Sequence, residues 1–263
     1  MLGLEKGTYL GEVLDISQSD GVIAGVTTYS EGNKTNLMHY HENSHLSFVL
    51  EGGMLDKRKT SEAERLPGEL LFFHAGEPHR SINKVFPAKN INLEIESAFF
   101  TENAITETVI ITSIKKNPNA KFIMLKIYKE LLIADDFSDA SIKMLLLNLI
   151  KHNNTAKNTC PDWITIVYEL LNDKWNEELT LKDLSKAANV HTVTISKHFP
   201  KYFSCTLGEY RRRLKIEKSL RLIKTSSLSL TEIAYECGFF DQSHFTRTFK
   251  QLTGFLPCQY ETI

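Results

Sequence analysis

An internal repeat in the C-terminal part of the chain constrains the fold more than any other feature of its 263 residues. Thr180–Asp183 and Ser229–Glu232 each have the pattern of a capping box, in which a hydroxyl residue and an acidic residue three positions later begin a helix. The spacing Phe199-x10-Tyr210 then recurs as Phe249-x10-Tyr260. The repeat predicts two copies of one helical unit, so this part of the chain is expected to be all helix.

Each copy has the pattern of a helix-turn-helix unit. The first helix ends at a residue suited to a left-handed turn, which is Asn189 in one copy and Gly238 in the other. The second helices are predicted over Thr192–Phe199 and Asp241–Lys250. In a helix-turn-helix unit the second helix enters the major groove of DNA. A single stiff helix over Thr206–Lys224 is expected to fix the distance between the two units.

The predicted second helices carry outward side chains of the types that bind base edges and phosphates. A solvated helix face is the other interpretation, and we favour DNA because two equivalent helices carry such residues. Arg211–Arg213 is interpreted either as a set of phosphate contacts or as an exposed solubilising run. The residues predicted to bind DNA are Thr192, Val193, Thr194, Ser196, Lys197, Arg211, Arg212, Asp241, Gln242, Ser243, Thr246, Arg247 and Lys250.

Charge is distributed unevenly along the chain, although the formal net charge is only −1. From Glu177 to the last residue, 13 lysine and arginine residues stand against 9 acidic residues, a balance of +4. The preceding residues hold 18 basic and 23 acidic side chains, a balance of −5. This asymmetry modestly favours contact between the C-terminal portion and a polyanion.

Two C-terminal segments, Ile233–Lys250 and Gly254–Tyr260, resemble the signature of the AraC/XylS family of transcriptional regulators, which ends in G-x-x-P-x-x-Y. The resemblance implies a sequence-specific DNA-binding protein that reads successive major grooves and activates transcription by contacting RNA polymerase. The first unit departs from the family pattern, because Phe203-Ser204 replaces the usual Thr-Gly and Lys197 stands where arginine is common. A lysine there supplies a point charge instead of a two-pronged donor.

Residues before Glu96 have the pattern of short strands separated by turns. Ser19-Asp20-Gly21 predicts a hairpin between strands over Glu12–Ser17 and Val22–Tyr29. Gly52-Gly53 and Pro67-Gly68 are expected to be further turns. Many short strands at this spacing predict a barrel or a sandwich.

Helical spacing begins after Asn117. The segment Ser141–Lys151 carries the run Met144–Leu147, which makes the helix apolar around much of its circumference and requires that it be covered. Two interpretations stay open, packing against the barrel and an interface between two copies of the chain. Asn153–Thr159 is expected to be a polar linker.

Histidines in the N-terminal region have the spacing of two cupin motifs. His39-x-His41-x3-His45-x6-Gly52 resembles the first motif with a histidine in place of the acidic ligand, and Gly68-x5-His74-x-Gly76-x2-His79-x3-Asn83 resembles the second with a histidine in place of proline. The resemblance implies a cupin-like sensor barrel in which His39, His41, His45 and His79 converge. Three interpretations stay open for these four side chains: ligands of a divalent metal ion, lining of an effector pocket, or structural histidines.

The predicted fold class is α+β in two domains. We expect a cupin-like β-barrel over residues 1–102, a helical connector with a dimerisation role over 103–159, and an all-α DNA-binding domain with two helix-turn-helix units over 160–263. Expected partners are double-stranded promoter DNA, RNA polymerase, a small-molecule effector and a second copy of the chain. A divalent metal in the barrel is the one cofactor considered. No membrane segment is expected, and the separated Cys160, Cys205, Cys237 and Cys258 are expected to be reduced thiols of a cytoplasmic protein.

Three functional classes follow from these patterns. The leading hypothesis is a one-component regulator that is not an enzyme, with no catalytic residues. The second is a metal-dependent cupin enzyme fused to a DNA-binding tail, which the missing acidic ligand disfavours. The third is a protein-docking module made of the two helical units, which would lack the salt dependence of DNA binding.

Overall fold

The computed structural model describes residues 1–31, 36–151 and 161–263. The chain forms two compact units. The first contains Met1–Ile114 and Ala120–Ile150, and the second contains Lys115–Asn119 and the later described residues up to Thr262. The predicted linker Asn153–Thr159 and Cys160 lie outside the described residues. The domain boundaries at 102 and 159 stay predictions.

The first unit is built on a curled sheet of eight strands in the described part of the chain. The central strand is β8, which pairs antiparallel with β5 along one edge and with β3 and β4 along the other. Strand β2 pairs with β3, β1 pairs parallel with β4, and β6 and β7 pair with β5. The strands are β1 (Leu2–Leu4), β2 (Glu12–Ser19), β3 (Val22–Tyr29), β4 (His39–His41), β5 (Ser44–Arg58), β6 (Glu62–Arg65), β7 (Leu70–Phe73) and β8 (His79–Ile95).

Turn residues predicted from the sequence have two different outcomes. The hairpin between β2 and β3 is confirmed, with Asp20 and Gly21 at φ 48° and 75° as a two-residue turn requires. The turn predicted at Gly52-Gly53 is wrong, because β5 continues through both residues to Arg58. Gly52 lies instead where the register against β8 shifts, and a Cβ there would lie 2.7 Å from the Cβ of Ala88. The glycine pair therefore allows a bulge in a long strand.

Four helices follow the strands: α1 (Ser97–Glu102), α2 (Glu107–Lys116), α3 (Ala120–Ile133) and α4 (Ser138–Lys151). The sequence analysis predicted the last two individually, and α2 lies within the predicted helical connector over 103–159 although no separate helix was predicted there. It missed α1, which lies within the predicted barrel region. Helix α1 has only six residues, and α2 contains the β-branched run Val109–Thr112, which resembles a strand more than a helix. Local pattern therefore could not identify either helix.

The leucine-rich helix α4 and its neighbour α3 are covered on one side within the first unit. Helix α3 packs against β2 and β3, and Leu146 and Leu149 of α4 are fully buried. On the same helix, Lys143 Nζ lies 2.8 Å from the Asp20 carboxylate in the β2–β3 turn. Met144, by contrast, is 61% exposed. These contacts support the packing interpretation for the buried side of α4.

The second unit is helical throughout its described residues, apart from short turns. Helices α5 to α8 share one core that includes Phe199 and Leu214, and Phe245 and Tyr260 are fully buried farther along the chain. The α+β fold class, with a curled N-terminal sheet and two helix-turn-helix units, is thus confirmed. The helices are α5 (Asp162–Asp173), α6 (Leu181–Ala188), α7 (Thr192–Phe203), α8 (Leu207–Thr225), α9 (Leu230–Glu236), α10 (Gln242–Thr253) and α11 (Pro257–Thr262).

Two further expectations concern the whole chain. Among the described residues, no helix combines the length and the apolar character needed to cross a bilayer. Cys205, Cys237 and Cys258 are free thiols in the described structure. Burial raises the pKa of the Cys237 thiol to about 12, which keeps it protonated and unreactive at neutral pH.

The packing of α4 makes a prediction about two residues that lie two positions apart. Leu146→Ala is expected to lower the free energy of unfolding of the first unit by about 2–5 kcal/mol, because it leaves a cavity in a closed core. Met144→Ala is expected to change it by less than about 0.5 kcal/mol, because that side chain is exposed. Hydrogen exchange of sheet peptides at low protein concentration measures both. Equal losses for the two variants would contradict this packing.

Candidate nucleic-acid interface and histidine cavity

The first helix-turn-helix unit consists of α6, a short turn and α7. Thr180 caps α6 in a complete capping box, since its hydroxyl accepts from the Asp183 N–H and the Asp183 carboxylate accepts from the Thr180 N–H. Bonding to Thr180 holds the pKa of the Asp183 carboxyl below its usual value. Helix α6 ends at Asn189 in the left-handed conformation, and His191 caps α7 by accepting from the Val193 N–H.

The second helix-turn-helix unit repeats this construction with α9 and α10. Ser229 and Glu232 form the capping box of α9, as the sequence predicted. Gly238, at φ 70°, makes the left-handed turn. Asp241 then caps α10, because its carboxylate accepts from the His244 N–H at 2.7 Å. Both predicted turn residues, Asn189 and Gly238, are therefore confirmed in their conformation.

The helix α8 joins the two units through two cationic side chains. Lys215 Nζ donates to the Gly238 carbonyl in the turn of the second helix-turn-helix unit. Arg211 donates to the carbonyls of Leu179 at 2.8 Å and Glu177 at 3.0 Å, just before the first unit begins. The sequence left Arg211 open between a phosphate contact and a solubilising residue, and the structure gives it a bracing role that neither interpretation included.

The second helix of each helix-turn-helix unit, α7 or α10, is called its reading helix. The residues predicted to bind DNA on these two helices are exposed or half-buried. Lys197 of α7 and Arg247 of α10 occupy equivalent positions, 50 residues apart, and both are exposed. Ile195 and Phe245, also 50 residues apart, are fully buried on the opposite side. Of the other predicted residues, the exposed ones are Val193, Ser196, Arg212, Gln242, Ser243 and Lys250, and the half-buried ones are Thr192, Thr194, Asp241 and Thr246.

Two predicted residues of α10 have partners inside the protein. Gln242 Oε1 accepts a hydrogen bond from the Thr231 hydroxyl at 2.8 Å, which holds its amide group in one orientation. The Asp241 carboxylate caps the helix. The repeat also reveals a residue that the sequence analysis missed: exposed His244 lies at the position equivalent to Thr194. The 50-residue offset was the signal that identifies it.

Both reading helices are longer than predicted. Helix α7 continues through Pro200 to Phe203 instead of ending at Phe199, and α10 continues to Thr253 instead of Lys250. Helix α7 is followed by Ser204 at φ 52°, and α10 is followed by Gly254 at the equivalent position. The Phe203-Ser204 departure from the family pattern therefore keeps the left-handed turn, although serine adopts it at a cost that glycine avoids.

A matched pair of glycines tests the junction between the units. A Cβ on Gly238 would lie 2.5 Å from the Asn176 carbonyl oxygen, and its positive φ strains any other residue. Gly238→Ala is therefore expected to lower the free energy of unfolding of the second unit by about 1–3 kcal/mol. Gly208→Ala, on helix α8 with only ordinary contacts, is expected to be neutral or stabilising.

Tryptophan fluorescence in a denaturant titration measures both glycine variants, because Trp163 and Trp175 both lie in the second unit. If Gly238→Ala is as stable as Gly208→Ala, the left-handed turn and the approach of Asn176 do not constrain this position.

A small buried cavity in the first unit gathers the four predicted histidines. His39 and His41 lie on the same face of β4, His45 lies near the start of β5, and His79 begins β8 opposite His39. All four are at least 95% buried. They line a cavity of about 30 Å³ together with side chains that include Tyr9, Tyr29, Phe73 and Asn92.

Hydrogen bonds orient two of these rings toward the cavity. His39 Nδ1 bonds to the Leu37 carbonyl and His79 Nδ1 to the Glu77 carbonyl, each at 2.9 Å. A ring nitrogen that bonds a carbonyl carries the proton, so the Nε2 of each ring keeps its lone pair. Burial, with a smaller effect of the neighbouring His39 and His79, lowers the pKa of His41 to about 3, and burial lowers the pKa of His79 to about 4. The rings are therefore neutral at neutral pH.

Three of the histidines satisfy a geometric test for a metal site. One ring nitrogen from each of His39, His41 and His79 lies within 4.8 Å of the others. Tetrahedral zinc ligands at about 2.05 Å lie about 3.3 Å apart, so closing the set takes side-chain shifts of about 1.5 Å or less. His45 is not in this set, although its ring centroid lies 4.4 Å from that of His41. His74 lies outside the cavity, where its Nδ1 contacts the Glu107 carboxylate.

Comparison with known proteins identifies the C-terminal part of the chain. Residues 184–262 match the model of a family described as the helix-turn-helix domain. The chain is 30% identical over 106 residues to the HTH-type transcriptional activator RhaS of Salmonella newport, and 28% identical over 91 residues to the HTH-type transcriptional regulator GbdR of Pseudomonas aeruginosa. These matches cover 40% and 35% of this chain, and 36% and 25% of the two relatives. The chain thus matches about a third of the length of the first relative and a quarter of the length of the second.

Solved structures resemble the chain only at low similarity. An AraC-type DNA-binding domain protein from Chromobacterium violaceum is 21% identical over 38% of this chain and 90% of that one, with a TM-score of 0.37. ToxT from Vibrio cholerae is 14% identical over 92% of this chain and 98% of that one, with a TM-score of 0.38. On the family match and the named relatives, the C-terminal part of this chain is a helix-turn-helix domain of the AraC type.

Proposed function

We propose that the protein is a DNA-binding transcriptional regulator whose two reading helices, α7 and α10, enter successive major grooves. The observation that carries the proposal is the pairing of two matched helix-turn-helix units on one helix, each with exposed groove-reading residues. Helix α8 has 19 residues and is about 28 Å long at 1.5 Å per residue. Successive major grooves on one face of DNA lie about 34 Å apart, a distance comparable to that length.

The proposal includes activation of transcription, contact with RNA polymerase and action as a homodimer in the cytoplasm. A relative described as a transcriptional activator supports the first of these. Exposed apolar side chains support the dimer: Phe137 is 75% exposed and Met144 is 61% exposed. Phe137 immediately precedes α4, and Met144 lies on α4 seven positions later.

We further propose that the histidine cavity is the effector site and that it holds one divalent metal ion. Cavities that hold organic ligands have volumes of about 300–1,000 Å³. The histidine cavity has a volume of about 30 Å³, which fits one ion or one water molecule. Neutral imidazoles are good ligands for Zn²⁺, Ni²⁺, Cu²⁺ and Fe²⁺. His39, His41 and His79 would hold the ion, and the carbonyls of Leu37 and Glu77 would orient two of the rings.

The DNA-binding proposal is tested on α10. Arg247→Ala is expected to reduce the preference for a specific duplex over a non-specific one by about 1–3 kcal/mol, because arginine recognises base edges with two donors. Lys250→Ala, if it removes a phosphate contact, is expected to weaken binding to all sequences and to reduce the logarithmic salt slope by about one. Fluorescence anisotropy at several salt concentrations, with a duplex selected by the wild-type protein, measures both effects.

A control variant for this titration is Lys59→Ala, which removes an exposed cation from the first unit. It is expected to leave affinity and salt slope unchanged. If Arg247→Ala keeps the wild-type ratio of specific to non-specific affinity, Arg247 does not recognise bases. If the wild-type protein selects no duplex and shows no salt dependence, the DNA-binding proposal itself is wrong.

The metal proposal is tested by elemental analysis of the full-length protein, purified without chelator or affinity histidines. The wild type is expected to retain about one metal ion per chain, which His39→Ala/His79→Ala removes because two of three ligands are lost. His74→Ala is the matched control, since His74 is exposed and outside the cavity. Titration with Co²⁺, followed by its visible absorption, provides a second readout that is independent of transcription.

Equal metal content in the wild type and the double variant would contradict the metal assignment. The histidines would then line the cavity as polar core residues. The proposal that the helix-turn-helix units bind DNA does not depend on this result. Circular dichroism of the double variant checks that its sheet is intact.

A further inference from the structure

The turns of the two helix-turn-helix units differ by one residue. The backbone N–H of Val190 donates to the Ser185 carbonyl, and that of Phe239 donates to the Ala234 carbonyl, which places Phe239 at the position of Val190 with an offset of 49. The buried residues of the reading helices have an offset of 50 instead. The second turn therefore contains one additional residue, and it lies between Phe239 and the cap residue Asp241.

The additional residue is Phe240, which has no place in the core. Its neighbour Phe239 is 5% exposed and lies 5.3 Å from Phe245 between ring centroids, whereas Phe240 is 89% exposed. Phe240 is the most exposed large apolar side chain in the part of the chain that the structure describes. A side chain this exposed buries little apolar area within the protein, so it is available for a contact with another molecule.

The position of Phe240 indicates which molecule that is. Phe240 immediately precedes Asp241, the residue that caps α10, and the N-terminal end of a reading helix is the end that contacts base edges. The neighbouring exposed side chains on α10, Gln242 and Ser243, are hydrogen-bonding residues suited to base edges. The major groove also offers one apolar group, the 5-methyl of thymine, and apolar side chains recognise it by contact.

We propose that the Phe240 side chain contacts DNA by packing against a thymine methyl group, and that this contact makes the second helix-turn-helix unit selective for thymine. The proposal rests on the proposed DNA-binding function and extends it to a residue outside the helix itself. The first helix-turn-helix unit lacks the additional residue, so its turn holds no counterpart of Phe240.

The experiment begins with a duplex that full-length wild-type protein selects from a random library, so no operator sequence is assumed. Each thymine in this duplex is then replaced singly by uracil, which removes only the methyl group. Replacement of one thymine, in the half of the site that the second helix-turn-helix unit binds, is expected to lower the affinity of the wild type about fourfold. This is the loss that one buried carbon predicts. Phe240→Ala is expected to bind the intact duplex about tenfold more weakly, and to be insensitive to uracil at that thymine.

Two further variants make the result specific. Phe240→Leu keeps an apolar side chain and is expected to retain sensitivity to uracil at the same position. Tyr235→Ala removes another exposed aromatic ring, on α9, which braces α10 and is expected to make no base contact. It is expected to keep the full wild-type response. Tryptophan fluorescence confirms that each variant is folded.

The outcomes separate this proposal from the DNA-binding function. If the wild type selects no duplex, the proposed function fails, and this proposal fails with it. If the wild type selects a duplex and Phe240→Ala binds it as tightly, only the Phe240 proposal is overturned. Weaker binding by Phe240→Ala with no uracil-sensitive thymine also overturns it, because the lost contact is then not to a methyl group. Loss of transcription without loss of affinity would assign Phe240 to a protein partner.

Discussion

The helical C-terminal unit depends on hydrogen bonds that α8 donates to backbone carbonyls at both helix-turn-helix units. Arg211 donates to two carbonyls that precede α6, and Lys215 donates to the Gly238 carbonyl between α9 and α10. Burial lowers the pKa of Lys215, with the Arg211 charge as a smaller cause, so the ammonium group needs that carbonyl. Helix α8 also packs against α7, α9 and α10, so polar and apolar contacts together join the two helix-turn-helix units. Because one helix binds the backbone of both, their reading helices have a fixed separation.

A different constraint governs the first unit, where burial determines the chemistry of the histidines. Their strands are held by β8, which pairs with β3, β4 and β5, so the rings have little freedom to leave the cavity. Desolvation lowers the pKa of His45 well below its usual value, the neighbouring His41 and His79 act in the same direction, and a hydrogen bond with the Asn43 backbone opposes them. Neutral rings are the form that binds metal ions. With His45 in place of the acidic ligand, none of the described residues that line the cavity carries a carboxylate.

Local sequence was sufficient wherever a short-range rule applies. The capping boxes, the turn residues Asn189 and Gly238 and the β2–β3 hairpin were all predicted because each depends on residues within five positions. Prediction failed at Gly52-Gly53, where pairing with β8 overrides a turn signal, and at α1, which has only six residues. The ends of α7 and α10 were misplaced for a related reason. Pro200 resembles a stop, although packing of Phe203 against Phe199 continues the helix.

By itself the sequence determined the type of protein: its repeat and its motif spacing are one-dimensional patterns that identify an AraC-type helix-turn-helix domain and mark four histidines as a group. Only the tertiary structure decided which side chains are available. It buried three histidines within reach of one another and left His45 beside them. It also engaged Arg211 with carbonyls and left Phe240 exposed. Availability depends on contacts between residues far apart in the chain, and periodicity carries no information about those contacts.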